Sequence, residues 1–233
     1  MKMKQSNENS ILIVCDEPTT SRIWGLVLTE LHCFLLVANS IPKALTLIEE
    51  SHPDIAVVDV TARDVNGIQI CRALREHSSI TILLLTPINN ESHTLEAYQA
   101  GADECIIKPI SPALFLAKVK VWLYRTRTIQ MDTLDELSIG ELTLEPSNQL
   151  LLDKSGRKVH LSDLEFQVLY LLMNNPNRAF TSEEIVKRIW RHYGEGSAIL
   201  VKNVIYRLRK KVEPNPNQPK YIRTDTEGYV FRQ

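Results

Sequence analysis

The chain has 233 residues, of which 44% are hydrophobic and 24% charged, so it is long enough for two ordinary domains and too apolar for a disordered protein. No apolar run reaches the roughly 20 residues of a membrane span. The amino terminus lacks the apolar stretch of a signal peptide, and four scattered cysteines are typical of reduced thiols. We therefore expect a cytoplasmic protein with no membrane partner. The formal net charge of −1 by itself argues against nucleic acid as a partner.

The first half of the chain alternates short apolar runs with amphipathic stretches. Each run is too short for an independent helix and suits a strand that is buried on both faces of a sheet. The runs are ILIV (11–14), FLLV (34–37), IAVV (55–58), ILLL (82–85) and CII (105–107). The stretches between them have apolar residues at helical spacing. Residues 1–122 are therefore predicted to form a flavodoxin-like α/β domain, with a doubly wound five-stranded parallel sheet.

The pattern changes in the second half of the chain. Residues 123–136 are polar without a clear period, which is typical of a linker. Residues 137–233 carry four short alternating runs, then three helical stretches, and finally a hairpin, an order that predicts a winged helix-turn-helix domain. Two of the helices are expected to begin with capping boxes, in which Ser162 pairs with Glu165 and Thr181 pairs with Glu184.

The charge divides unevenly between these two regions. Residues 1–122 hold 10 Lys and Arg against 14 Asp and Glu, whereas residues 138–233 hold 15 against 11. The near-zero total is therefore a cancellation between an acidic half and a basic half. Such asymmetry is typical of a nucleic-acid-binding domain that is joined to a domain with another task.

Four polar residues follow the ends of predicted strands. They are Asp16, Asp59, Thr86 and Lys108. Ligands of a doubly wound sheet bind beyond the carboxyl ends of its strands, so we expect these side chains to converge on one crevice. Carboxylates suit a hard cation such as Mg²⁺, and such an ion together with Lys108 could neutralise a phosphoryl group that is transferred to or from Asp59.

The segments around these residues resemble the motifs of the receiver domain in two-component response regulators of the OmpR/PhoB family. The matching segments are ILIVCDEP (11–18), PDIAVVDVTARDVNG (53–67), ILLLT (82–86) and GADECIIKP (101–109). The resemblance implies that Asp59 is the phospho-acceptor, with Mg²⁺ bound by Asp16, Asp59 and the backbone carbonyl of Thr61. It also implies that Thr86 is the switch hydroxyl, that Lys108 binds the phosphoryl group, and that a sensor histidine kinase is the donor.

The chain departs from the family pattern at two cysteines. Cys15 stands where the family has an acidic residue, and a thiol is a poor Mg²⁺ ligand, so we expect weaker metal binding. Cys105 replaces the aromatic switch residue on the fifth strand, which breaks the usual coupling to Thr86. Both thiols would lie near the crevice and could be redox-sensitive, but we expect them to be buried small hydrophobic groups. Two interpretations stay open: activation by phosphorylation at Asp59, and an atypical receiver that dimerises and regulates transcription independently of phosphorylation.

The helix predicted over residues 198–212 is strongly basic. Residues 202–211 contain five basic side chains and no acidic one, whereas an ordinary solvated helix face mixes the two signs. This pattern favours a helix that enters the major groove of double-stranded DNA. The apolar positions are expected to face the core, which leaves these polar residues on the surface: Lys202, Asn203, Tyr206, Arg207, Arg209, Lys210 and Lys211.

The same helix resembles the recognition helix of the OmpR/PhoB effector domain, through VIYRLRKKVEP (204–214). The resemblance implies base readout by Lys202, Asn203 and Arg207. It further implies promoter-DNA contacts at these positions: Lys202, Asn203, Tyr206, Arg207, Arg209, Lys211 and Thr224. The hairpin lacks the arginine usual after Thr224, so minor-groove insertion is expected to be weak or absent. The loop at 192–197 matches the region where the family meets RNA polymerase.

The resemblance also implies a homodimer. Family receivers pair through the fourth helix, the fifth strand and the fifth helix, and the corresponding charged residues here are Asp103, Glu104, Lys118 and Lys120. Exposed ion pairs contribute only about 0–1 kcal/mol each, so these charges do not determine the resting oligomeric state.

Together these features predict a transcriptional regulator that is no enzyme beyond its own phosphotransfer and dephosphorylation. An aspartyl-phosphate hydrolase or transferase is disfavoured, because Thr61 stands where a second acid would follow Asp59 and no substrate-cap insertion is present. A flavodoxin-like cofactor binder is disfavoured, because no glycine-rich loop is available to hold a phosphate.

Overall fold

A computed structural model describes residues 9–59, 67–128, 134–189 and 198–232. The chain separates into two compact units, residues 1–128 and 129–233. Within the described ranges, no helix has both the length and the apolar character needed to cross a membrane.

The first unit is a parallel sheet with helices packed against it. The strands are β1 (Ser10–Cys15), β2 (Phe34–Ala38), β3 (Ile55–Asp59), β4 (Thr81–Thr86) and β5 (Glu104–Ile107), in the order β2-β1-β3-β4-β5. The helices are α1 (Pro18–Leu28), α2 (Ile41–Ser51), α3 (Gly67–His77), α4 (Glu91–Ala100) and α5 (Pro112–Thr128). Helix α1 contacts α5, while α3 contacts both α2 and α4. The predicted doubly wound α/β fold is confirmed.

The position of each strand in the sheet explains its burial. Strands β1, β3 and β4 are buried along their whole length, because each has a neighbouring strand on both sides and helices over the sheet. The prediction of burial on both faces is wrong for the two edge strands, β2, where Val37 is 48% exposed, and β5, where Cys105 and Ile107 are only partly buried. The central strands therefore carry the core, and their carboxyl ends position Asp59 and Thr86.

The second unit combines two small antiparallel sheets with three helices. The first sheet contains β6 (Leu137–Ile139), β7 (Leu142–Glu145), β8 (Leu150–Asp153) and β9 (Lys158–His160). The helices are α6 (Asp163–Met173), α7 (Ser182–Ile189) and α8 (Ala198–Val212). The second sheet has the order β10-β12-β11, formed by β10 (Ala179–Phe180), β11 (Ile222–Asp225) and β12 (Gly228–Phe231). This is the predicted winged helix-turn-helix architecture.

Capping boxes fix the starts of α6 and α7, as predicted. The backbone N–H of Ser162 donates to Glu165 Oε2 at 2.9 Å, and the Ser162 hydroxyl accepts from the Glu165 N–H at 3.5 Å. The backbone N–H of Thr181 donates to Glu184 Oε2 at 3.1 Å, and the Thr181 hydroxyl accepts the reciprocal bond at 3.1 Å. Each pair satisfies two backbone N–H donors that have no partner within the helix.

Helix α5 is longer than the sequence pattern indicates. It continues to Thr128, which is within the segment 123–136 that we predict to be a linker. Trp122 and Leu123 are buried, and the following polar residues include no Gly or Pro that would end the helix.

The turn of the hairpin depends on a glycine. Gly228 has a φ of +133°, a conformation that L side chains rarely adopt. A Cβ at this position would also overlap the carbonyl oxygen of Phe180 on β10. The close approach allows β10 to pair with β12, which attaches the hairpin to the helical part of the unit.

Candidate functional site

Asp59 lies at the carboxyl edge of the parallel sheet, where β3 ends, and is only 2% exposed. Its Oδ1 atom accepts a hydrogen bond from Lys108 Nζ at 2.5 Å. Lys108 follows β5 directly, and the peptide bond between Lys108 and Pro109 is cis. The structure thus brings together two of the four strand-end residues that the sequence singled out, as an ion pair between a buried carboxylate and a partly exposed ammonium.

The second oxygen of Asp59 is bound by a residue that the sequence analysis missed. Asp59 Oδ2 accepts a hydrogen bond from Trp24 Nε1 at 2.6 Å. Trp24 lies on α1, is 8% exposed, and packs its ring against Phe115 of α5 with the ring centroids 4.2 Å apart. The general rule that a buried indole N–H needs an acceptor was the available signal, but the acceptor itself is visible only in the fold.

Cys15 and Asp16 lie at the end of β1, beside Asp59. Cys15 is 3% exposed and is the direct neighbour of Asp59 across the β1–β3 pairing, so its predicted burial is confirmed. Burial raises the pKa of the Cys15 thiol, and the charges of Asp59 and Asp16 raise it as well. The thiol is therefore protonated near neutral pH, and it supplies no charge to attract a hard cation.

The described residues do not fit a bound Mg²⁺ ion as they stand. Both oxygens of Asp59 already accept hydrogen bonds, and Cys15 contributes a neutral thiol. Within the ranges that the structure describes, no group of three or more His, Cys, Asp or Glu residues is arranged to hold a metal ion. Asp16 is the other predicted carboxylate ligand, and Thr61, the predicted carbonyl ligand, lies outside the described residues.

Thr86 is the last residue of β4, and its hydroxyl contacts a side chain of helix α4. Its Oγ1 atom lies 3.0 Å from Nε2 of His93 and accepts a hydrogen bond from the backbone N–H of Ile88 at 3.2 Å. His93 was not predicted as a site residue. Cys105, on the neighbouring strand β5, is partly buried, and this burial raises the pKa of its thiol to about 11. The hydroxyl at the strand end therefore has a histidine partner in place of an aromatic ring on β5.

Asp103 is not available to a dimer partner, which corrects the sequence prediction. It is 1% exposed, and its Oδ2 atom accepts bonds from Arg75 Nη2 at 2.7 Å and from the backbone N–H of Ile82 at 2.9 Å. The carboxylate is buried because it bridges α3 and β4 within one chain. It cannot reach a second chain without breaking both bonds.

The other charged residues predicted for the dimer surface differ in their environment. Glu104 pairs with Lys118 at 2.7 Å within the chain, and it also accepts a hydrogen bond from the indole of Trp122. Lys120 is exposed. The first two residues therefore contribute to the packing of β5 against α5, while Lys120 is accessible to a partner.

The basic helix α8 exposes only part of its polar surface. Lys202, Tyr206 and Lys210 are exposed and follow one another at intervals of four residues, so they lie along one face of the helix. Lys210 Nζ lies 4.6 Å from the centroid of the Tyr206 ring, at cation–π distance. We call these three residues the exposed stripe of α8.

Asn203 and Arg207 are buried, so the prediction that they lie on the surface is wrong. Asn203 is 4% exposed, and its side-chain amide donates to the backbone oxygen of Ile199 at 2.9 Å. Arg207 is 5% exposed, and its Nε atom lies 3.4 Å from Oε1 of Glu165. Glu165 on α6 is completely buried and requires a cation nearby, which is why α8 turns Arg207 inward.

The remaining predicted DNA-contacting residues are tied to neighbouring elements. Lys211 binds Glu165 Oε2 at 2.7 Å and donates to the backbone oxygen of His160 at 2.9 Å. Arg209 donates to the backbone oxygen of Ile222 at 2.9 Å and to the hydroxyl of Thr224 at 2.8 Å. Thr224 is exposed on β11. The helical period of the sequence shows which residues are polar, but it does not show which of them pair inside the domain.

Both parts of the chain match known protein families. Residues 11–120 match the response regulator receiver domain, and residues 156–231 match the C-terminal domain of transcriptional regulatory proteins. The chain is similar to the probable transcriptional regulator ycf27 of Cyanophora paradoxa, with 30% identity over 233 residues and 97% of each chain covered.

Two further similarities agree with this match. The heme response regulator HssR of Staphylococcus saprophyticus is 32% identical over 202 residues, which cover 87% of this chain and 88% of that protein. A solved structure of a RitR mutant shares the fold, with a TM-score of 0.77 and 19% identity over 96% of this chain and 98% of the other.

Proposed function

Because the chain belongs to the OmpR/PhoB family of two-component response regulators, we propose that Asp59 accepts a phosphoryl group from a sensor histidine kinase and thereby controls the binding of a dimer to promoter DNA. The observation that carries this proposal is the ion pair between the buried Asp59 and Lys108 at the carboxyl edge of the sheet. We also propose that the protein acts in the cytoplasm, where it would meet promoter DNA.

The proposed chemistry is a transfer between two protein side chains. A carboxylate oxygen of Asp59 attacks the phosphorus of a phosphohistidine, the bond from phosphorus to the histidine nitrogen breaks, and that nitrogen leaves with the electron pair. The ammonium of Lys108 neutralises the negative charge of the arriving phosphoryl group. Receiver domains generally bind Mg²⁺ for phosphorylation, and we propose that Asp16, Asp59 and the Thr61 carbonyl would bind the ion once the hydrogen bonds to Asp59 have rearranged.

The proposed DNA surface is the exposed stripe of α8, with Arg209 and Thr224 beside it. Lysine side chains can bind phosphates or guanine edges in the major groove, and Tyr206 can add apolar contact with a base. Of the three residues first predicted to read bases, we assign this role to Lys202, because Asn203 and Arg207 are buried.

Dimerisation and the contact with RNA polymerase are proposed on the family pattern. On the receiver, Lys120 is exposed and Leu114 is 49% exposed at the start of α5, so a polar and an apolar contact are both available there. The loop at 192–197, proposed to meet RNA polymerase, lies outside the described residues.

An intact-mass measurement tests the proposal. The full chain is incubated with acetyl phosphate and Mg²⁺ and compared with Asp59→Asn and with Glu50→Gln, which alters an exposed acid on α2 as a control. We expect one added phosphoryl group in the wild type and in Glu50→Gln, and none in Asp59→Asn. Promoter affinity, measured by gel shift on the same samples, is expected to rise with the phosphorylated fraction.

One observation favours the alternative of a receiver that works without phosphorylation. Both oxygens of Asp59 are engaged by protein donors, and the neighbouring Cys15 is a neutral thiol where the family has an acid. If this alternative is correct, the wild type gains no phosphoryl group from acetyl phosphate. The wild type and Asp59→Asn then bind promoter DNA with equal affinity.

A further inference from the structure

We infer that Trp24 is a positioning residue that keeps the Asp59 carboxylate inaccessible. The hydrogen bond from Trp24 must break before a metal ion or a phosphoryl group can reach that carboxylate. The inference rests on the proposed role of Asp59 as the phospho-acceptor. It starts from the 2.6 Å bond between Trp24 Nε1 and Asp59 Oδ2.

The geometry leaves an incoming group no ready access to Asp59. Lys108 binds one oxygen at 2.5 Å and Trp24 binds the other at 2.6 Å. Each carboxylate oxygen has a second lone pair, but Asp59 is only 2% exposed. Among the described residues that bind Asp59, the space for a hydrated cation or a phosphoryl group must therefore come from the movement of one of these two donors.

Trp24 is the donor that has to leave. The ammonium of Lys108 is a charge that the phosphoryl group itself needs, so its displacement would remove the main electrostatic stabilisation of the product. The indole of Trp24 is neutral and offers no such compensation. A hydrogen bond to a charged acceptor is stronger than one between neutral groups, so this bond holds the site closed with appreciable free energy.

The indole ring of Trp24 is also held in place by its packing against α5. Trp24 is 8% exposed, and its ring contacts Phe115, a completely buried residue of α5, with centroids 4.2 Å apart. A surface side chain could swing away from Asp59 at little cost, whereas this ring can leave only by disturbing the contact between α1 and α5. The packing between α1 and α5 therefore keeps the indole N–H of Trp24 in position to bind the Asp59 carboxylate.

Substitution of Trp24 by Phe gives the clearest test. The variant keeps a ring against Phe115 and removes only the N–H donor to Asp59. We expect the Mg²⁺ concentration that half-saturates the protein to fall about tenfold, and the rate of phosphorylation by acetyl phosphate to rise about tenfold, on the basis of the strength of a hydrogen bond to a charged group. Wild-type values for both quantities would overturn the inference.

Trp122→Phe is the matched control. It also removes an indole donor from a carboxylate of the receiver, since Trp122 binds Glu104, but it leaves Asp59 untouched. We expect its Mg²⁺ half-saturation and its phosphorylation rate to equal those of the wild type. A gain in Trp122→Phe as large as that in Trp24→Phe would show a general loosening of the domain and would also overturn the inference.

Nuclear magnetic resonance of the full-length chain with ¹⁵N-labelled indoles provides a readout that needs no activity. The sequence has three tryptophans, so Trp24→Phe and Trp122→Phe assign all the signals. We expect the Trp24 N–H to be protected from exchange with solvent in the wild type, to lose this protection in Asp59→Ala, and to shift on addition of Mg²⁺. The Trp122 signal should respond to neither change.

These measurements separate the two proposals. If Asp59 gains no phosphoryl group but the Trp24 signal depends on Asp59 and on Mg²⁺ as described, the proposed function fails and the role of Trp24 stands. If Asp59 is phosphorylated while the Trp24 signal is unprotected or identical in Asp59→Ala, the function stands and the role of Trp24 fails. The indole signals of the wild type decide the matter even if Trp24→Phe does not fold.

Discussion

In each domain of this regulator a buried carboxylate lies between two donor side chains, yet we propose different roles for these two carboxylates. In the receiver, Asp59 is 2% exposed and is bound by Lys108 and Trp24. In the effector domain, Glu165 is fully buried and lies between Arg207 and Lys211. Burial and pairing with a cation therefore do not by themselves distinguish a reactive group from a structural one.

The difference lies in what else binds the carboxylate. Glu165 also accepts the backbone N–H of Ser162, so it is part of the capping box that starts α6. The donors to Asp59 described above are side chains, and Asp59 itself lies at the strand end where ligands of such sheets bind. A carboxylate bonded to the backbone cannot be released without disrupting a helix, whereas one bonded to side chains can exchange them for a ligand.

The largest expected effect comes from Arg207→Ala. Removal of one cation leaves Glu165 buried with Lys211 alone, so we expect the effector domain to lose about 3 kcal/mol of stability. Calorimetry of the full chain would show a lower unfolding temperature for the effector domain, with an unchanged transition for the receiver. If Arg207→Ala instead has normal stability but fails to bind promoter DNA, the original prediction that Arg207 contacts DNA directly is correct.

A smaller effect is expected along the exposed stripe of α8. Lys202→Ala and Lys210→Ala should each weaken promoter binding and reduce the slope of log affinity against log salt by about 1, because each removes one cation from the DNA surface. Their unfolding temperatures should match that of the wild type. Lys43→Ala, an exposed change on α2 of the receiver, serves as the control; an equal loss of affinity in that variant would contradict the assignment.

The smallest expected effect concerns Glu104, a carboxylate of intermediate burial. Lys118→Ala removes its partner at 2.7 Å, and we expect a loss of about 1 kcal/mol from the receiver, while Lys120→Ala leaves stability unchanged. Thermal unfolding measures the first effect, and sedimentation at several concentrations measures dimerisation. If Lys118→Ala weakened the dimer and left the stability intact, Lys118 would face a partner chain after all.

The sequence was most informative where topology alone determines position. Residues that follow consecutive parallel strands must lie at the same edge of the sheet, so the meeting of Asp59 with Lys108 could be predicted. Capping boxes are equally local, because the partner residues are three positions apart. The starts of the two helices that Ser162 and Thr181 cap were therefore located correctly.

The sequence was least informative where a side chain pairs with a residue far away in the chain. Arg207 is as polar as Lys202, and only the position of the buried Glu165 on another helix turns it inward. Asp103 is buried for the same kind of reason, since Arg75 reaches it from α3. The sequence did not single out Trp24, because the acceptor of its N–H lies 35 positions further along the chain.

Arg209 has a consequence for how the effector domain meets DNA. Its guanidinium joins α8 to β11 through the backbone oxygen of Ile222 and the hydroxyl of Thr224. These two hydrogen bonds hold the helix and the hairpin at a fixed separation. If the helix enters the major groove, the hairpin must meet the backbone at one set distance, so a promoter whose groove width differs has to deform to fit. Sequence preference can then arise from the stiffness of base pairs that the protein never touches.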